Sequence, residues 1–148
     1  MQLNFPTYNF TIKKGENRNY IFDIIRKKYV VLTPEEWVRQ HLVHHLIQAA
    51  GCSPALIAVE KGLLVNGRKK RFDVLVYHPT GYPILLAECK APNMPVDEGT
   101  FAQAAVYNKV LGVKHLLITN GIALFTCSYG EDFSHYTLKD YLPVFPFD

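Results

Sequence analysis

Apolar and polar positions along this chain follow two periods, and the changes between them mark out its elements. Around Tyr8-Asn9-Phe10-Thr11-Ile12 and Tyr20-Ile21-Phe22-Asp23-Ile24-Ile25 apolar residues alternate with polar ones, with Gly15-Glu16-Asn17 as a turn between them. Residues 1–32 are therefore expected to form an N-terminal extension packed on the main body. Thr33-Pro34-Glu35-Glu36 then opens a helix, with Thr33 suited to the N-cap, Pro34 to the first helical position and Glu36 three residues after the cap. The helix is expected to run to Ala50, stopped by Gly51, with Val38, Leu42, Leu46 and Ala49 as its core stripe and Val43 and Ile47 widening it. Three strand-like runs follow at 55–65, 71–77 and 83–89. The Asn66-Gly67 and Pro79-Thr80-Gly81 turns join them into a meander. Residues 97–112 return to a helical period, 115–119 to a strand, and this order implies a right-handed crossover between two parallel strands. Asn120-Gly121 turns into a last strand at 122–127, and 138–142 reads as a short helix.

At 148 residues the chain is expected to be one domain, with a core at 33–130 and a tail at 131–148. Apolar residues make up 49% and charged residues 20%, which excludes a disordered chain. No apolar run approaches the roughly 18 residues of a membrane span, and the N-terminus lacks a basic-then-apolar leader. A soluble, cytoplasmic protein without a membrane partner is the expectation. Cys52, Cys89 and Cys127 are scattered and odd in number, so they are read as reduced packing groups and not as a zinc ribbon or disulfide frame. The net charge of +3 conceals an asymmetry of +6 in residues 1–74 against −3 in residues 75–148. The basic excess gathers at Lys13-Lys14, Arg26-Lys27-Lys28 and Arg68-Lys69-Lys70-Arg71. The first cluster is read as solvated turn and strand edge; the last abuts Asp73 and suits a polyanionic substrate.

Candidate chemistry lies where apolar strands carry charges that a buried strand should avoid. Asp73 interrupts Phe72-Asp73-Val74-Leu75-Val76, and Glu88 and Lys90 end Leu85-Leu86-Ala87-Glu88-Cys89-Lys90. Residues two apart on a strand share a face, so Glu88 and Lys90 point together, and hairpin pairing brings Asp73 to them. Two carboxylates and an ammonium form a constellation for divalent-metal hydrolysis. A strand carboxylate paired with Arg71 or Lys90 is the plain structural alternative for Asp73. Glu36 has a competing local role in the helix cap, and Glu35 stays open beside it as the third acid. His41, His44 and His45 offer no third ligand spacing and are read as surface or core-edge histidines. Trp37 is read as a packing residue.

These blocks, Thr33 to Gln40, Asp73, Glu88-Cys89-Lys90-Ala91-Pro92, Gln103 to Tyr107 and Thr119-Asn120-Gly121, resemble the PD-(D/E)xK nuclease superfamily. More narrowly, they resemble the N-terminal nuclease domain of type I restriction enzyme R subunits, over roughly residues 20–130. The resemblance implies an α/β fold with a restriction-endonuclease-like mixed sheet flanked by helices, an αβββαβ core. It implies Mg2+-dependent cleavage of DNA, with Mn2+ as a substitute: Asp73, Glu88 and Glu36 at the metal, Lys90 assisting catalysis, and Gln103 and Tyr107 supporting the site. Phe72 stands where the motif name has proline. No GxxxxGK[ST] motif is present, so a separately encoded motor or specificity subunit, and a homodimer, are partners to look for beside DNA. The rival reading is a catalytically silent nucleic-acid-binding or assembly module of the same fold.

Overall fold

The computed structural model describes residues 2–131, 135–142 and 144–147; the side chains of Tyr107 and Val110 also lie outside the described residues. Its centre is a six-stranded mixed sheet in the order β4-β5-β6-β7-β8-β9, formed by Ile57–Val65, Arg68–Tyr77, Pro83–Cys89, His115–Thr119, Leu124–Tyr129 and Tyr136–Lys139. A separate three-stranded sheet, β1 (Ile12–Lys14), β2 (Asn19–Asp23) and β3 (Lys28–Val31), precedes helix α1 (Pro34–Gln48). Helix α2 (Glu98–Leu111) connects β6 to β7, which pair in parallel; every other neighbouring pair is antiparallel.

Local chemistry explains the boundaries. The Thr33 side chain accepts from the Glu36 N–H at the start of α1, and Asp97 caps α2 by accepting from Thr100 N–H. Gly112 closes α2 in the left-handed region at φ 62°. Asn66 and Gly67 both take positive φ, 52° and 75°, the geometry that a two-residue hairpin needs to match strand twist. In β6, Ile84, Leu85, Leu86 and Ala87 are all buried because the strand is central and covered on both faces. Leu85, Ala87 and Cys89 pack with Val38, Leu42 and Leu46 of α1, whereas Leu86 packs with Ala104 of α2, so one helix covers each face.

Several expectations are corrected. The 138–142 segment is not helical: β9 at Tyr136–Lys139 instead pairs with β8, its main chain satisfied by the open sheet edge while Tyr136 and Leu138 stay exposed. Helix α1 stops at Gln48, leaving Ala49 exposed and Ala50 buried, so the core stripe ends at Leu46. The strand expected from residue 122, β8, starts at Leu124, because the Asn120 side chain ties Ile122 and Ala123 N–H into a turn. Alternation at 8–12 becomes a strand only from Ile12; Tyr8 and Phe10 set their rings against the α1 histidines and Trp37. No helix among the described residues is long and apolar enough to cross a membrane.

The alternation of β4 and β5 also breaks at one place. Val74 and Val76 face the α1 core and Leu75 the α2 core, yet Phe72 packs with Leu75 where strict alternation would put it with Val74. Its partner strand does the same: Ile57 and Val59 face α1, whereas Leu63 and Val65 face α2. The pairing register stays constant on both sides of the break, and Glu60, opposite Asp73, takes φ 54°. The paired strands thus exchange faces at Glu60 and Asp73. A left-handed backbone at a non-glycine residue is costly and persists only where its surroundings hold it.

Candidate active site

Asp73 sits at that break. Its Oδ1 accepts from Arg39 Nη1 at 3.0 Å and its Oδ2 from the Cys89 backbone N–H at 2.7 Å. Glu88 lies beside it on β6, one step beyond the Val74–Ala87 pair, close enough for the two carboxyls to influence one another. Burial first, and then the charge of Asp73, push the Glu88 carboxyl from an ordinary 4.5 up to about 7, against the opposing pull of Lys70 and Lys90. The neighbouring Asp73 charge and burial thus favour the protonated form of Glu88 at mildly acid pH.

Lys90 follows β6, with its backbone N–H donating to Thr119 O at 2.8 Å. Asn120 beside it donates from Nδ2 to Met94 O at 2.8 Å, so the Thr119-Asn120-Gly121 turn anchors both the lysine and the loop beyond it. Glu88, Lys90 and Gln103 line one small cleft together with Lys70, Phe72 and Thr100. The cleft thus gathers residues from β5, β6 and α2.

Glu36 is brought to the site through an intermediary. Its carboxylate accepts from Arg39 Nη2 at 2.7 Å, Arg39 Nε at 2.9 Å, Arg26 Nη2 at 3.0 Å and Gln40 Nε2 at 3.0 Å. Burial alone would raise Glu36, but the Arg39 hydrogen bonds and the neighbouring charges outweigh it and hold the acid below its usual value. Arg39 is buried too, and burial would lower it; Glu36, Asp73 and Glu60 together keep it firmly charged. Glu60 joins both arginines, at 3.2 Å to each, and Asp23 holds Arg26 at 2.8 Å. Glu36 therefore fixes the guanidinium that pairs with Asp73. Glu35, exposed one residue earlier, has its carboxyl raised by burial and by the Asp73 charge and lowered by Arg39 and Lys90, which puts it electrostatically within the site.

Sequence reasoning missed Arg39 and Glu60, and saw Arg26 and Lys70 only as members of basic clusters. Arg39 had one usable signal: it lies three residues after Glu36 on a helix whose buried side also carries Gln40, so the two charges share a face. Asp73 finds its cation on α1 and not in Arg71, which is largely exposed and only 3.9 Å from Glu60. The expectation for Tyr107 lies outside the described residues. His41 and His44 are buried among aromatic rings, and both ring nitrogens of His44 lack a hydrogen-bond partner among the described residues. All three cysteines are buried free thiols; burial pushes Cys52 up to about 12 and Cys127 up to about 11.

The sequence profile of a family described as the type I restriction enzyme R protein N terminus (HSDR_N) matches residues 34–143. The chain belongs to this family. The match begins at the first residue of α1 and covers every strand of the six-stranded sheet, so the R-protein N-terminal family accounts for both faces of the cleft. A solved structure described as a fragment of an HsdR subunit of a type I restriction enzyme from Vibrio vulnificus YJ016 shares the fold, with a TM-score of 0.55 and 23% identity over 76% of this chain. The chain spans about a quarter of that structure, 24% of its length. No curated protein matches the chain. The mixed sheet with one helix on each face is accordingly the restriction-endonuclease-like fold.

One prediction follows from the acid pair alone. Because the folded state raises Glu88 to about 7, it binds a proton that the unfolded chain releases near 4.5, so metal-free protein should lose stability as pH rises through this window. Glu88→Gln should remove the slope, leaving the variant more stable than wild type at pH 8 by on the order of 2 kcal/mol and no more stable near pH 4.5. Urea midpoints in EDTA across pH 4.5 to 8 measure this; parallel curves would show that Glu88 carries no excess proton.

Proposed function

We propose that this chain is a metal-dependent endonuclease domain that hydrolyses DNA phosphodiester bonds within a type I restriction system. The observation that carries the proposal is the placement of Asp73 and Glu88 on adjacent paired strands, one step beyond Val74 and Ala87, with Glu88 and Lys90 lining one cleft. The donor set fits Mg2+ or Mn2+: hard oxygens, from one or two carboxylates, with the remaining positions left to water and substrate phosphate. Among the described residues no three His, Cys, Asp or Glu side chains form a group that could hold an ion, so the proposal rests on two protein carboxylates, with water and phosphate to fill the other positions. Asp73 and Glu88 would hold the ion; bound there, it would neutralise phosphate charge and acidify an attacking water.

The chain's own groups have separable tasks. Arg39 and the Cys89 N–H orient Asp73, leaving its free lone pairs to face Glu88. Glu88 must release its proton before it serves as a charged ligand, so ion affinity should climb between pH 6 and 8. Lys90 donates to a phosphate oxygen, where negative charge grows in the transition state. Gln103 lines the cleft wall from α2 and limits where the substrate backbone lies. Glu36 acts through Arg39, and Glu35, on the open side, is the further acid available to an ion or its water.

One observation favours a second reading, a silent DNA-binding module: a guanidinium already offsets Asp73 without any ion. Incubating supercoiled plasmid and single-stranded DNA with purified protein, in Mg2+, in Mn2+ and in EDTA, separates the two. Nicking that needs the cation supports the nuclease; DNA binding with no cleavage in either cation supports the module.

The outward hairpin supplies a further expected result. Arg68 and Lys69 are exposed at the β4–β5 tip, so Arg68→Gln with Lys69→Gln should weaken DNA binding and lower its salt slope by about two, since each phosphate contact contributes about 0.9. An unchanged slope would put the DNA path elsewhere.

A further inference from the structure

We infer that Lys70 is a second substrate lysine of the cleft, which contacts the phosphate at the Asp73–Glu88 pair together with Lys90. The inference rests on the nuclease reading and gives a place in the cleft to a residue that the sequence had read only as one of the Arg68 to Arg71 basic cluster. Four basic residues stand in a row at 68–71, but they do not share a role. Arg68, Lys69 and Arg71 are exposed, whereas Lys70 is half-buried and lines the cleft with Glu88, Lys90 and Gln103. Its ammonium lies over the Phe72 ring, 6.0 Å from the centroid, which gives the stem a fixed apolar support.

The face exchange at Glu60 and Asp73 explains this position. Under strict alternation Lys70 would share the face of Val74 and Val76, on the α1 side of the sheet. With the exchange, Lys70 and Phe72 turn to the α2 side, where Glu88 and Gln103 open. The Leu63 opposite Lys70 packs on that same α2 face, so both strands of the hairpin agree. The backbone at Glu60 is left-handed at the point where it delivers a second cation to the acid pair. Two acids and a phosphate repel one another, and Lys70 from β5 and Lys90 just after β6 line the same cleft, where both can offset that charge.

The test combines kinetics with a direct view of the lysines. Lys70→Gln should lower the cleavage rate at saturating DNA on the order of a hundredfold, the usual loss for one transition-state donor, while Lys70→Arg should recover most of it. A purely binding role would raise the DNA concentration required and leave the saturated rate unchanged, which would overturn the inference. In parallel, a short duplex is titrated into 13C-labelled wild-type protein with Ca2+ in place of Mg2+. The Lys70 and Lys90 ε-CH2 resonances should shift together while that of Lys13 on β1 stays fixed. If wild type cleaves nothing but Lys70 and Lys90 still shift together, the nuclease reading fails and the phosphate contact stands. If wild type cleaves and Lys70 does not shift, the contact fails and the nuclease reading stands.

Discussion

Asp73→Asn and Glu88→Gln should each abolish cation-dependent DNA cleavage, with losses of at least about a thousandfold, while folding to the wild-type structure. Each substitution keeps the side-chain shape and removes one of the two negative charges that would hold the ion. Asp73→Asn also changes what Arg39 meets, since a neutral amide no longer pairs with the guanidinium at 3.0 Å. Its stability at neutral pH should therefore fall, whereas that of Glu88→Gln should rise. Lys90→Ala should lose cleavage by on the order of a hundredfold and yet keep cation affinity, because an ammonium stabilises transition-state charge without coordinating metal. A plasmid nicking assay beside urea unfolding separates the three. Full activity in either carboxylate variant would remove the pair from the chemistry.

The second large effect concerns Arg39. Truncation to Met should destabilise the protein by about 3 to 5 kcal/mol, since it leaves buried Glu36 and partly buried Asp73 without their shared cation. Arg26 still reaches Glu36 at 3.0 Å, so the buried acid keeps one partner and the variant should fold at low temperature. Adding Glu36→Leu to Arg39→Met should recover part of the loss, because the uncompensated buried charge is removed with its partner. The difference in urea midpoint reports both. A loss below about 1 kcal/mol would show that the network is solvated and weak, like an ordinary surface pair.

How much of this the sequence carried differs from element to element. Thr33-Pro34-Glu35-Glu36 and Asn66-Gly67 act through backbone rules that hold within a few residues, and the α1 start and the β4–β5 turn fall where those rules put them. Glu88 and Asp73 stood out because a carboxylate in an apolar strand needs a partner, and the structure supplies several. The identity of those partners was not legible. Asp73 and Arg39 are 34 residues apart, and no local pattern specifies a pairing that the sheet and helix create only when packed. The face exchange was hidden for a different reason. Gly62 marks β4 as irregular, but an alternating reading of 57–65 does not place a positive φ at Glu60. Lys70 was therefore legible only as one of four clustered cations, Arg68 to Arg71, and not as the one that turns into the cleft. Residues 138–142 looked helical from their spacing, and β9 forms there because β8 offers an unpaired edge, a tertiary fact that periodicity does not record.

The central claim is that Asp73 and Glu88 together make one divalent-cation site. Calorimetric titration of Mn2+ into wild type at pH 7.5, repeated with Asp73→Asn, tests it most directly. One ion should bind the wild type with release of only a fraction of a proton from Glu88, a fraction that grows as the pH is lowered, and binding should vanish in the variant. No heat of binding in wild type, or the same isotherm in Asp73→Asn, would contradict the claim.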